Sequence, residues 1–221
     1  MIVRALLFDL DDTLFSEREY VESGFRAVAK VIAERSGGSP ACYFEFMRTA
    51  LEKNGRGRIF DDLLVRFSLS PEKFPIDALV MHYRQHDPLI KLYPGVSEML
   101  RRLRRNHRLA IVTDGMATMQ RRKVAALRLN DMIDEAIYCW EIEAPKPSPD
   151  GFLAAMRKLA VTPAETIIIG DRPDHDLAAA ISIGCSAILI QGTRFAHLPA
   201  PDHPNLLTVC ADVTEIESLL P

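Results

Sequence analysis

Residues 2–8 are apolar apart from Arg4, and the run that ends in Leu6-Leu7-Phe8 stops at three acids within four positions, Asp9-Leu10-Asp11-Asp12. A run this short and continuous predicts a buried strand that delivers carboxylates at its carboxyl end. The spacing then turns helical. Ser16 with Glu19 reads as a capping box, and Val21, Phe25, Val28 and Ile32 recur at helical intervals until Gly37-Gly38. Further helical patterns cover 43–53, 60–67 and 76–86, separated by Gly55-Arg56-Gly57, Pro71 and Pro75, with no strand pattern between them.

The pattern changes again at Tyr93-Pro94-Gly95. Beyond it, helical spacings at 96–105, 119–129, 149–159 and 176–183 alternate with β-rich stretches at 109–113, 136–138, 166–169 and 187–190. Ser148-Pro149 opens the helix that runs to Leu159, Thr162 with Glu165 caps the turn ahead of the 166–169 stretch, Gly184 stops 176–183, and Asp212 with Glu215 predicts a last short helix. This alternation predicts an α/β fold with a doubly wound parallel sheet, built from 1–14 and 93–221, into which the all-helical segment 15–92 is inserted.

Composition narrows the function classes. At 221 residues, 48% hydrophobic and 26% charged, the chain is globular and fits one domain with a large insertion. Its 27 Lys and Arg against 30 Asp and Glu give a net charge of -3, which lacks the broad positive field of a nucleic-acid binder. No stretch reaches the ~18 apolar residues of a membrane span. Cys42, Cys139, Cys185 and Cys210 are widely spaced, with no CxxC pair or neighbouring His, so they are expected to be buried free thiols in a cytoplasmic protein. Nothing in the pattern specifies an oligomeric state.

Four expected strand ends carry polar residues: Asp9 and Asp11, then Thr113, then Lys146 between Pro145 and Pro147, then Asp171 after Ile167-Ile168-Ile169-Gly170. If the strands lie side by side these groups converge. Three carboxylates around one point repel unless a cation intervenes, and oxygen-only ligands favour Mg²⁺, which keeps waters and shares a phosphate with the protein. The set predicts Mg²⁺ and a phosphoryl group.

Taken in order, Asp9-Leu10-Asp11-Asp12-Thr13-Leu14, Thr113, Lys146 in Ala144-Pro145-Lys146-Pro147, and Gly170-Asp171-Arg172-Pro173-Asp174-His175-Asp176 resemble the four motifs of the haloacid dehalogenase (HAD) superfamily hydrolases. By layout the chain is similar to their helical-cap phosphatases, of the phosphoglycolate phosphatase-like and N-acetylneuraminate 9-phosphatase-like kind. The resemblance implies a Rossmann-like core with a helical cap, and a Mg²⁺-dependent phosphatase of a small phosphomonoester such as a sugar phosphate or nucleotide. It implies that Asp9 attacks phosphorus to form an aspartyl-phosphate, while Asp11 protonates the leaving oxygen and then activates water. Asp9, the Asp11 backbone carbonyl and Asp171 would hold Mg²⁺. Thr113, the backbone N–H of Asp114 and Lys146 would bind the phosphate, and Asp176 would order a metal water or pair with Lys146. Asp114 stands where many relatives have Asn, which leaves its side chain without an expected role.

Within that superfamily the second acid, Asp11, argues against the metal-free dehalogenase branch. A phosphomutase shares every core motif, and a non-enzymatic regulatory module would be expected to have lost a motif residue, of which none is missing. The basic turn holding Lys53, Arg56 and Arg58 is a candidate for recognising a second anionic group of the substrate, on equal footing with a solvated turn.

Overall fold

The structure, a computed structural model, describes residues 2–192 and 194–220. The chain divides into two compact units, one of Met1–Glu17 with Lys91–Pro221 and one of Arg18–Ile90. No helix among the described residues is long and apolar enough to cross a membrane.

The first unit is built on six parallel strands, β1 (Ala5–Phe8), β2 (Arg108–Thr113), β3 (Glu135–Tyr138), β4 (Thr166–Gly170), β5 (Ser186–Ile190) and β6 (Leu206–Cys210), in the order β3-β2-β1-β4-β5-β6. Every residue of β1 and β4 is buried, which explains why these central strands read as unbroken apolar runs. Side chains alternate between the faces of each strand. On one face Ala5, Leu7, Ala110, Val112, Ile168 and Leu189 pack with Phe152, Ala155 and Met156 of helix Asp150–Leu159. Residues of the opposite face, Leu6, Phe8, Ile111 and Ile169 among them, are buried as well.

Chain order reverses beside β1, which lies between β2 and β4, and a crevice at such a reversal is where doubly wound sheets place their ligands. Register brings the three carboxyl ends level, since Phe8 pairs with both Ile111 and Ile169 and the Asp9 N–H donates to the Ile169 carbonyl at 2.8 Å.

The second unit contains helices α1 (Glu17–Ser36, from Arg18 onward), α2 (Pro40–Asn54), α3 (Ile59–Arg66) and α4 (Ile76–Gln85). The stripe Val21, Phe25, Val28 and Ile32 of α1 packs with Tyr43, Met47, Leu63 and Phe74 in one apolar cluster. Aromatic edges add to that burial, with Tyr43 and Phe67 nearly perpendicular at 4.8 Å between ring centroids. Pro40 occupies the first turn of α2, where its missing N–H costs no bond, and Ser39 accepts the Cys42 N–H at 3.5 Å.

The sheet unit carries helices α5 (Val96–Leu103), α6 (Ala117–Ala126), α7 (Asp150–Leu159) and α8 (Ala178–Ser182). A wider turn over Pro173–Leu177 runs directly into α8, with the Leu177 N–H reaching the Arg172 carbonyl five residues back at 3.4 Å. The capping boxes Thr162–Glu165 and Asp212–Glu215 are both formed.

Three local expectations change. Strand β6 is absent from the pattern-based reading, because an edge strand with Leu207 and Val209 exposed shows no buried run. At the start of α1 the Glu17 N–H is taken by the Asp12 carboxylate at 2.9 Å, so Asp12 supplies a cap in addition to any from Ser16. Cys139, Cys185 and Cys210 are buried free thiols, but Cys42 is exposed, since it lies on the outer face of α2.

Candidate active site

Lys146 sits at the centre of the strand-end cluster. Its Nζ lies 2.5 Å from Asp9 Oδ1 and 2.6 Å from Asp176 Oδ1, and all three residues are less than a tenth exposed. Asp9 leaves β1 directly, whereas Lys146 arrives on a loop braced by Pro145 and Pro147. Asp176 comes from the wider turn after β4, where its Oδ2 accepts the Arg172 N–H at 3.2 Å. Gly170 is what admits it: a Cβ at that position would stand 2.4 Å from the Asp176 carboxyl carbon.

Asp171 completes the group. One carboxylate oxygen each from Asp9, Asp171 and Asp176 lies within 4.8 Å of the others, and all three residues are buried. Burial pushes the Asp9 carboxyl up to about 7, with Lys146 pulling it back and Asp176 and Asp11 pushing it further up. For Lys146, burial works against the charged form, but the carboxylates of Asp176 and Asp9 outweigh it and hold the ammonium above its ordinary range. Three buried carboxylates whose oxygens lie this close, two of them paired with the Lys146 ammonium, are a donor set that fits a hard divalent cation.

Asp11 points its carboxylate elsewhere. Lys123 Nζ approaches its two oxygens at 2.7 and 2.9 Å, and Gln120 Nε2 lies 2.7 Å from Oδ2. The cluster that offers carboxylate oxygens to a cation therefore contains Asp176 and not Asp11, whose expected contribution was its backbone carbonyl. Thr113, at the end of β2, is 1% exposed and accepts from Gln120 Nε2 at 2.6 Å. Asp114 has a side-chain partner after all, because its carboxylate accepts the backbone N–H of Lys146 at 3.1 and 3.2 Å and so holds the Lys146 loop against β2.

Gln120 and Lys123 were not anticipated. They lie on α6 with Val124 on its buried face, at 2% and 3% exposure. Beside Arg121 and Arg122, Lys123 reads as one of three solvated cations; only the spacing of 120, 123 and 124 marks a single face. In the helical unit, Lys53 lies in the last turn of α2 and Arg58 immediately precedes α3, both exposed. Arg56 and Gly57 border a cavity of about 230 Å³ within that unit, walled by Val21, Phe25 and Tyr83.

The family model of haloacid dehalogenase-like hydrolases matches residues 3–184. Over 203 residues the chain is 32% identical to a glyceraldehyde 3-phosphate phosphatase of Methanopyrus kandleri, covering 88% of this chain and 86% of that one. It is 27% identical over 224 residues to the pyrophosphatase PpaX of Halalkalibacterium halodurans, covering 95% and 97%. Among solved structures, a HAD phosphatase from Thermococcus onnurineus has the same fold, with a TM-score of 0.64 over 99% of this chain and 98% of that one at 24% identity.

Proposed function

The chain belongs to the haloacid dehalogenase-like hydrolases and acts on phosphoric monoester bonds, and on that premise we propose that it hydrolyses a small phosphorylated metabolite through an aspartyl-phosphate on Asp9. The observation that carries this reading is the convergence of the Asp9, Asp171 and Asp176 carboxylates, with Lys146 paired to Asp9 and Asp176, where the strand order reverses.

In the first step an Asp9 carboxylate oxygen forms a bond to phosphorus while the ester oxygen departs, taking a proton from Asp11. In the second, Asp11 takes a proton from water, the water oxygen bonds to phosphorus, and the Asp9–phosphorus bond breaks to release phosphate. A carboxylate nucleophile thus divides one difficult displacement into two easier ones. Lys146 and the Thr113 hydroxyl, with the Asp114 N–H, stabilise charge on the non-bridging oxygens, which carry it in the transition state. Asp9, Asp171 and the Asp11 carbonyl would hold Mg²⁺, with Asp176 beside them. When bound, that ion offsets the repulsion between the anionic nucleophile and the anionic phosphate. The helical unit serves as a cap that discriminates among substrates, with Lys53, Arg56 and Arg58 as its candidate contacts to a second anionic group.

The test is a screen of phosphate compounds with Mg²⁺ present, beginning with glyceraldehyde 3-phosphate and pyrophosphate, the substrates named for its relatives. Chelation should stop turnover and Mg²⁺ restore it. Ca²⁺ should inhibit, because its larger, more flexible shell tolerates bidentate coordination that occupies the nucleophilic oxygen. Full activity in excess chelator, or a phosphoryl label trapped on any residue other than Asp9, would overturn the mechanism.

A further inference from the structure

Gln120 meets two residues of the site through a single atom. Its Nε2 lies 2.7 Å from Asp11 Oδ2 and 2.6 Å from Thr113 Oγ1, and its side chain is almost wholly buried. An amide nitrogen offers two hydrogens and no accepting lone pair, so in this contact the Thr113 oxygen accepts. While Asp11 is ionised and held on both oxygens by Lys123, the amide cannot turn over without loss, because its oxygen would then face a carboxylate oxygen where its nitrogen now donates. Lys123 and Asp11 thereby dictate which end of Gln120 faces Thr113.

The consequence falls on the hydroxyl proton. Gln120 is the one side-chain hydrogen-bond partner of Thr113 Oγ1 among the described residues, and it uses the oxygen as acceptor. The proton of Thr113 is therefore left to point away from Gln120, at a buried position on the carboxyl end of β2. We propose that Gln120 is a positioning residue that keeps Thr113 a hydrogen-bond donor toward the phosphoryl group, with Lys123 and Asp11 setting the orientation of its amide. This rests on Thr113 being a phosphate ligand, as argued above. A glutamate at 120 would reverse the relation, since its carboxylate accepts the Thr113 proton and withdraws it from the substrate.

A double-mutant cycle tests the chain of action, because residues that act through one another do not add. Orthovanadate serves as the phosphate-like probe, and its dissociation constant in the presence of Mg²⁺ is measured by calorimetry. The proteins compared are the wild type, Thr113→Val, Gln120→Met and the double variant, each checked for its melting temperature. Gln120→Met should weaken vanadate binding by about 3- to 10-fold, the scale of one hydrogen bond. Thr113→Val should weaken it at least as much, and the double variant should be no worse than Thr113→Val alone. A double variant whose loss is the product of the two single losses overturns the proposal, because Gln120 then acts independently of Thr113. Loss in Thr113→Val with none in Gln120→Met overturns it too, while leaving the phosphatase reading intact. Unchanged binding in Thr113→Val overturns the assignment of Thr113 itself, and the proposal with it. Should Gln120→Met not fold, the uncharged Gln120→Leu takes its place in the same cycle, with an expected loss that again vanishes in the Thr113→Val background.

Discussion

Among the described residues, the buried polar and charged side chains divide unevenly between the two units: Ser23 and His86 lie in the helical unit, while Asp9, Thr113, Gln120, Lys123, Lys146, Asp171 and Asp176 are among those in the sheet unit. The helical unit keeps its charges on the surface, where Arg18 pairs with Glu22 and Glu52, and Arg48 with Glu45 and Glu52. Such exposed pairs contribute little to stability. In the sheet unit, burying Lys146 among carboxylates is an expensive arrangement that seldom stabilises a fold relative to an apolar core, so a functional return is the better account of it. The difference follows from architecture. A parallel sheet brings the ends of strands distant in sequence to one edge, whereas each helix of the other unit buries a stripe set by its own local period.

The sharpest way to break this contrast is at the nucleophile. Asp9→Asn has nearly the wild-type shape, so circular dichroism should report an intact fold while turnover falls by at least ~10³-fold, the scale of losing a nucleophile. An active variant would leave the sheet unit with buried acids and no chemistry to justify them. Lys146→Met comes next, because it strands Asp9 and Asp176 without their ammonium. Breaking a buried pair on one side costs about 3–5 kcal/mol, to be read from urea unfolding without metal, and activity should fall equally for an aryl phosphate and for a natural ester.

The smallest expected effect belongs to the helical unit. Neutralising Arg56 and Arg58 to Gln should lower kcat/KM about 10-fold or more for the ester the screen identifies, and little for an aryl phosphate that has no second anionic group. Equal losses on both esters would dissolve the division between chemistry in one unit and discrimination in the other.

The residues differ in how openly the sequence displays their places. Asp9 was legible because a carboxylate at the end of a four-residue buried strand is chemically unusual, and Asp171 for the same reason after β4. The boxes at Thr162 and Asp212 were legible because caps act over three residues of contiguous chain. Strand β6 was not, since an edge strand half open to solvent lacks the continuous burial that marks a central one. Gln120 and Lys123 escaped because polar residues on a helix read as solvated until their neighbours in space are known.

Sequence alone was sufficient for the class of the fold and for the strand-end positions of Asp9, Thr113 and Asp171, because periodicity and strand-end motifs are properties of short stretches of chain. Tertiary structure alone decided which of those groups bind one another. It turned Asp11 toward Lys123, set Asp176 beside Asp9 and Asp171, and gave the Asp114 side chain a backbone N–H to hold. The physical reason is that hydrogen bonds and ion pairs form over about 3 Å, a distance that the packing of elements far apart in sequence determines and that no local pattern encodes.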